Sequence, residues 1–121
     1  MTKVEIVGDK LVLTVNGIDV VLAFKKHLEV PFSSITGVEL GIAAEAQSKL
    51  DDSIRLPGAY MPGIAIAGSY LEHGKWMFWN IHKGANAVSI KLNHEKYEYL
   101  VVEVEDPKAT VALISSKLSN R

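Results

Sequence analysis

No cysteine occurs in the 121 residues. That excludes disulfide bridges, thiolate nucleophiles and Cys-based zinc sites as sources of stability or chemistry. Charge of one sign is also missing. The 13 Lys and Arg nearly balance the 14 Asp and Glu, for a formal net charge of −1. Nucleic acid and anionic lipid attract cationic surfaces, so neither is an expected partner. No long apolar run is present. The most apolar stretch, 59–71, is too short to span a bilayer and is broken by Pro62, Gly63 and Gly68. Glu5, Gly8, Asp9 and Lys10 interrupt what would have to be a signal core, so the expected location is the cytoplasm. Repeats, low-complexity tracts and composition breaks are absent too, which predicts one domain over 1–121. What remains, 48% hydrophobic and 22% charged residues, suits a globular chain long enough to bury a core.

The patterning is mostly that of strands. Residues 4–24 predict a three-stranded meander about two turns, Gly8-Asp9 and Asn16-Gly17, the latter a strong hairpin signal. The first turn sets Ile6 opposite Leu11 and Val4 opposite Leu13. The second sets Val15 opposite Ile18, Leu13 opposite Val20 and Leu11 opposite Leu22. All these pairs are apolar and lie on one face, which fixes the register. Leu28, Val30 and Phe32 alternate with polar residues, and Pro31 places that segment at an edge or bulge. Ser33-Ser34 turns the chain, and Val38, Leu40 and Ile42 alternate again. Residues 43–50 have the composition for two helical turns inside an otherwise irregular stretch, 43–63. Pro57-Gly58 and Pro62-Gly63 there predict two tight turns, and long ordered loops often carry function. Three hairpin-connected strands are expected over 64–71, 76–81 and 88–92. The strand at 76–81 is apolar on both faces except at Asn80, and so is central or covered twice. The last strand, with Leu100, Val102 and Val104 on one face, ends at Asp106-Pro107. Asp106 is a good N-cap and Pro107 a good first helical residue. They open a helix over 107–118, with Val111, Ile114 and Leu118 on its core stripe.

This order of strands followed by one helix resembles the pleckstrin-homology superfold, in particular its bacterial members. The resembling residues are Leu28-Glu29-Val30-Pro31-Phe32-Ser33-Ser34-Ile35 leading to Val38-Glu39-Leu40, then Arg55-Leu56-Pro57-Gly58, Gly74-Lys75-Trp76-Met77-Phe78-Trp79 and Val101-Val102-Glu103-Val104-Glu105-Asp106-Pro107. The resemblance implies a mainly β, PH-like domain: a partly open antiparallel barrel or bent sandwich capped by a C-terminal helix. The helix lacks the tryptophan of eukaryotic members, since the last Trp is Trp79, so eukaryotic functions are not carried over.

Candidate chemistry is sparse. Phosphoinositide recognition needs clustered cations, and only Lys25-Lys26 is a basic pair. Those two lysines give about 2 kcal/mol toward an anionic leaflet, too little for attachment. His27, His73, His82 and His94 have no paired spacing and sit in turns, so no metal is expected. Gly-x-Ser-x-Gly is missing, and no nucleophile and base are set together. No catalytic residue and no cofactor is therefore assigned. Trp76, Phe78 and Trp79 alternate across both sheet faces. They fill the barrel wall, or one ring lines a groove with Tyr60 and Met61, where aromatic anchors carry binding energy. Arg55 joins Tyr60 and the Pro-Gly loop as the candidate ligand or partner surface. Val12, Val21, Val101 and Leu113 are more apolar surface than the core stripes use, which suggests a subunit interface and a homo-oligomer. The expected function is a non-catalytic binding or assembly module acting through protein–protein contacts. The alternative is a receptor for a small apolar or anionic ligand held near 55–63.

Overall fold

The computed structural model describes the backbone of residues 1–15, 27–61, 65–82 and 84–120, and the side chains of all these except 54–61 and 65. The expected Asn16-Gly17 turn, the strand after it, Val21 and Lys25-Lys26 lie outside the described residues. So does Pro62-Gly63.

The chain is mainly β with a C-terminal helix. Its elements run β1 Thr2–Val7, β2 Lys10–Val15, β3 His27–Pro31, β4 Ile35–Leu40, α1 Ala44–Asp51, β5 Ile54–Met61, β6 Ala65–Glu72, β7 Lys75–Ile81, β8 Ala87–Leu92, β9 Tyr97–Glu103 and α2 Pro107–Ser119. A single 3₁₀ turn, Phe32–Ser34, joins β3 to β4. Two sheets form, ordered β1-β2-β3 and β4-β8-β9-β7-β6-β5. Among the described residues neither closes into a barrel.

The first hairpin has the expected register, with Val4 opposite Leu13 and Ile6 opposite Leu11. Gly8 adopts φ 62° in its turn, a left-handed conformation that glycine takes at little cost. The far side of β2 differs from expectation. Leu11 faces Val30 and Leu13 faces Leu28, so β3 occupies the edge that residues 18–22 needed. Both choices pair apolar with apolar, and local alternation cannot rank them. Pro31 ends β3, which is an edge strand of this sheet among the described residues.

The larger sheet brings a second correction. β7 and β8 follow one another but do not pair, because β9 lies between them, parallel to β7 and antiparallel to β8. The expected run of three hairpin-connected strands is thus broken after β6–β7. The inner places go to β7 and β9, the strands buried along nearly their whole length, where both faces can be covered.

Both faces are in fact covered. Phe78, Val88, Ile90, Leu100 and Val102 pack toward Leu11, Leu13 and Val30 of the small sheet and Ile114 of α2. Met77, Trp79, Ile81, Tyr99 and Val101 form a second cluster beneath Ala46 and Leu50 of α1 and Ala43 just before it. α2 starts as expected, with the Asp106 carboxylate accepting from Ala109 N–H at 3.0 Å and Pro107 in its first turn. The stretch 43–63 is more regular than expected. It holds α1 and then β5, where the first Pro-Gly dipeptide makes a register shift within a strand and not a tight turn.

Candidate functional site

Arg55, Tyr60 and Met61 all fall on β5, the last strand of the six-stranded sheet. Its inner edge pairs with β6. Among the described residues no strand pairs with its outer edge. Pro57 has no N–H to give, and the ladder slips between Arg55 and Gly58. From there it is regular: Gly58, Ala59, Tyr60 and Met61 stand opposite Gly68, Ala67, Ile66 and Ala65. Arg55 is the one charged residue of the strand. The strand replaces the loop expected to enclose a small ligand. At about 3.3 Å per residue, Arg55 and Tyr60 stand on the order of 15 Å apart along it and do not converge.

The two tryptophans do not join them. Trp76 is half-buried against the main core, with Lys96 Nζ 5.5 Å from its ring centroid. Trp79 is 0% exposed on the opposite face, under α1, with its indole N–H unpartnered. Trp79 is therefore withdrawn from the proposed binding surface. The interface residues scatter as well. Val101 is also 0% exposed, because α1 of the same chain is the cover that face required. Val12 is half-buried on the outer face of the small sheet, where its neighbours are Glu5 and Glu29. Leu113 is exposed on α2. Val12, Val101 and Leu113 do not make one apolar patch.

The main polar construction was not anticipated. Lys49 of α1 reaches Glu98 Oε1 at 2.9 Å, Glu72 at 3.6 Å and Glu45 at 4.0 Å. Glu45 also accepts from Tyr99 Oη at 2.7 Å and from Lys91 Nζ at 3.3 Å. The Glu98 contact, then the other two carboxylates, raise the Lys49 ammonium above its ordinary pKa. The Tyr99 hydroxyl and Lys91 hold the Glu45 carboxyl below its own. Burial and Glu45 push the Tyr99 phenol well above the usual range. The network ties α1 to β6, β8 and β9. One sequence signal pointed to it, the Glu45/Lys49 pair one helical turn apart. Glu72 and Glu98 come from distant strands and gave none.

His27, His73 and His94 are exposed and His82 is half-buried, each at a strand end or turn. Among the described residues no three His, Asp or Glu side chains are grouped to hold a metal ion. Among them, too, no helix is long and apolar enough to cross a membrane. Comparison with known protein families, with characterised proteins and with solved structures gave no match to this chain.

Proposed function

We propose that the chain is a non-catalytic binding or assembly module of pleckstrin-homology-like plan, and that it takes an extended protein segment as an added strand on β5. One observation carries this reading: the outer edge of Gly58–Met61 is a regular, uncharged ladder with no strand beside it among the described residues. Unpaired strand N–H and C=O groups are satisfied by water or by another strand, and strand addition is a recurrent mode of peptide recognition. Pro57 and the bulge protect the first half of the edge and leave the second half open. The occupant is a segment of a partner protein or β5 of a second copy.

Proline substitution tests this. Along β5, N–H groups alternate between β6 and the outside. One of Ala59→Pro and Tyr60→Pro thus deletes an outward donor, and the other breaks the β5–β6 ladder. The outward variant should melt within a few degrees of the parent yet lose self-association in sedimentation and capture of extended peptides from an array. The inward variant should be destabilised. Slow hydrogen exchange at the outward amides of 58–61 in the isolated monomer would sink the proposal, because the edge would already be occupied.

A further inference from the structure

Two adjoining clefts lie where the β6–β7 and β8–β9 turns meet. The larger has a volume of about 400 Å³ and is lined by Thr36, Lys75, Lys91, Leu92, Asn93 and Glu98. The smaller, about 230 Å³, shares Lys75, Leu92, Asn93 and Glu98 and adds Glu95 and Lys96. The larger is at the small end of ligand-pocket sizes.

The polar groups of the larger cleft can be counted as engaged or free. Thr36 donates to the Lys91 carbonyl, and Lys91 Nζ is held by Glu45. Glu98 Oε1 is held by Lys49. Asn93 Oδ1 accepts from His94 N–H at 3.1 Å, which orients the amide; among the described residues its NH₂ has no partner. Lys75 has no ion pair or hydrogen bond among the described residues. Glu98 Oε2 is buried and has no partner either. The free set is thus one ammonium and one amide donor beside one carboxylate oxygen. Plain anions match only the donors.

We infer that the larger cleft binds a small carboxylate bearing a hydrogen-bond donor on the adjacent carbon, as in an α-amino or α-hydroxy acid. The ligand carboxylate accepts from Lys75 and from the Asn93 amide. Its ammonium or hydroxyl donates to Glu98 Oε2. That oxygen is closed to solvent without ligand, so the inferred binding includes a rearrangement of the cleft wall that opens it. This site is independent of the β5 edge.

The test is calorimetric titration with four probes: L-alanine, L-lactate, propionate and inorganic phosphate. Alanine or lactate should bind at least tenfold more tightly than propionate or phosphate. Lys75→Met should weaken that binding at least tenfold, and Asn93→Ala should weaken it less. Glu98→Gln should remove the preference over propionate. If Glu98→Gln does not fold, amide shift changes at Lys75 and Asn93 on adding alanine, and their loss in Lys75→Met, decide the matter. Failure of all four probes at millimolar concentration, propionate binding as well as alanine, tightest binding of phosphate, or unchanged affinity in Lys75→Met would each overturn the inference.

Discussion

Lys49 is the residue on which most charge depends. Its side chain is 23% exposed and faces three carboxylates, of which Glu72 is 8% exposed and Glu98 15%. Replacing it with Met removes the cation that Glu72 and Glu98 share, and leaves Glu72 with only its His73 contact at 2.8 Å among the described residues. Exposed pairs contribute roughly 0–1 kcal/mol, and breaking a buried one costs roughly 3–5 kcal/mol. Lys49→Met should fall between, at about 2 kcal/mol in urea unfolding, with Lys49→Arg losing less. The pH dependence has a definite sign. The raised Lys49 pKa makes its contribution complete below the ordinary lysine value and lost as pH rises through the folded one. Tyr99, also raised, is lost on the same alkaline side. The lowered Glu45 pKa makes its contribution complete above the ordinary glutamate value and lost as pH falls through the folded one. Urea midpoints should therefore be flat near neutrality and drop at both ends. Lys49→Met should flatten the alkaline drop and keep the acid one; an unchanged alkaline limb would contradict this assignment.

At the scale of the element, the two helices are anchored by different means. α2 carries its own cap, and Asp106→Ala should cost about 1 kcal/mol, the usual loss for an N-cap. The N-cap of α1 is Ala43, which has no capping side chain. A buried serine from β8 does that work. Ser89 Oγ accepts from Ala43 N–H at 2.8 Å and donates to the Gly41 carbonyl at 2.8 Å. Ser89→Ala leaves a buried N–H and a C=O unpaired, for a loss of about 1–3 kcal/mol. The loss should concentrate in α1, read as faster amide exchange over 43–50 with α2 unaffected. α1 also shields Trp79, so the same variant should show easier quenching of that indole in a Trp76→Phe background.

The whole molecule is a six-stranded sheet with both faces covered: by the small sheet and α2 on one side, by α1 on the other. A charge aimed into the first interface should unfold it. Val111 packs against the main core, and Ile114 is 0% exposed. Ile114→Asp should abolish the cooperative thermal transition, since an unpaired carboxylate would be buried, and Val111→Asp, at a half-buried position against the same core, should lower its midpoint by less. Leu113, on the same helix but 49% exposed, is the control. Leu113→Asp should shift stability by less than about 0.5 kcal/mol, as surface changes usually do. Equal melting of Ile114→Asp and Leu113→Asp would mean that α2 does not seal the core.

The sequence by itself determined what short-range physics decides. The Gly8-Asp9 hairpin and its register, the Asp106-Pro107 helix start, the Ser33-Ser34 turn and the double-sided burial of β7 all follow from turn chemistry and apolar spacing among near neighbours. Only the tertiary structure decided what depends on distant partners. Leu11 and Leu13 had apolar candidates in two later segments, and β3 took the place beside them. β9 entered between β7 and β8 because two strands apolar on both faces compete for the centre of one sheet. α1 took the cover over Val101 that a second subunit was expected to supply, and it buries Trp79 as well. Residues 54–61 carry Pro-Gly and invited a loop, yet pairing with β6 absorbed the proline as a bulge. The polar features stayed hidden for the same reason. Glu45, Lys49, Glu72 and Glu98 are ordinary surface residues in the sequence, and the meeting of α1, β6 and β9 makes them neighbours.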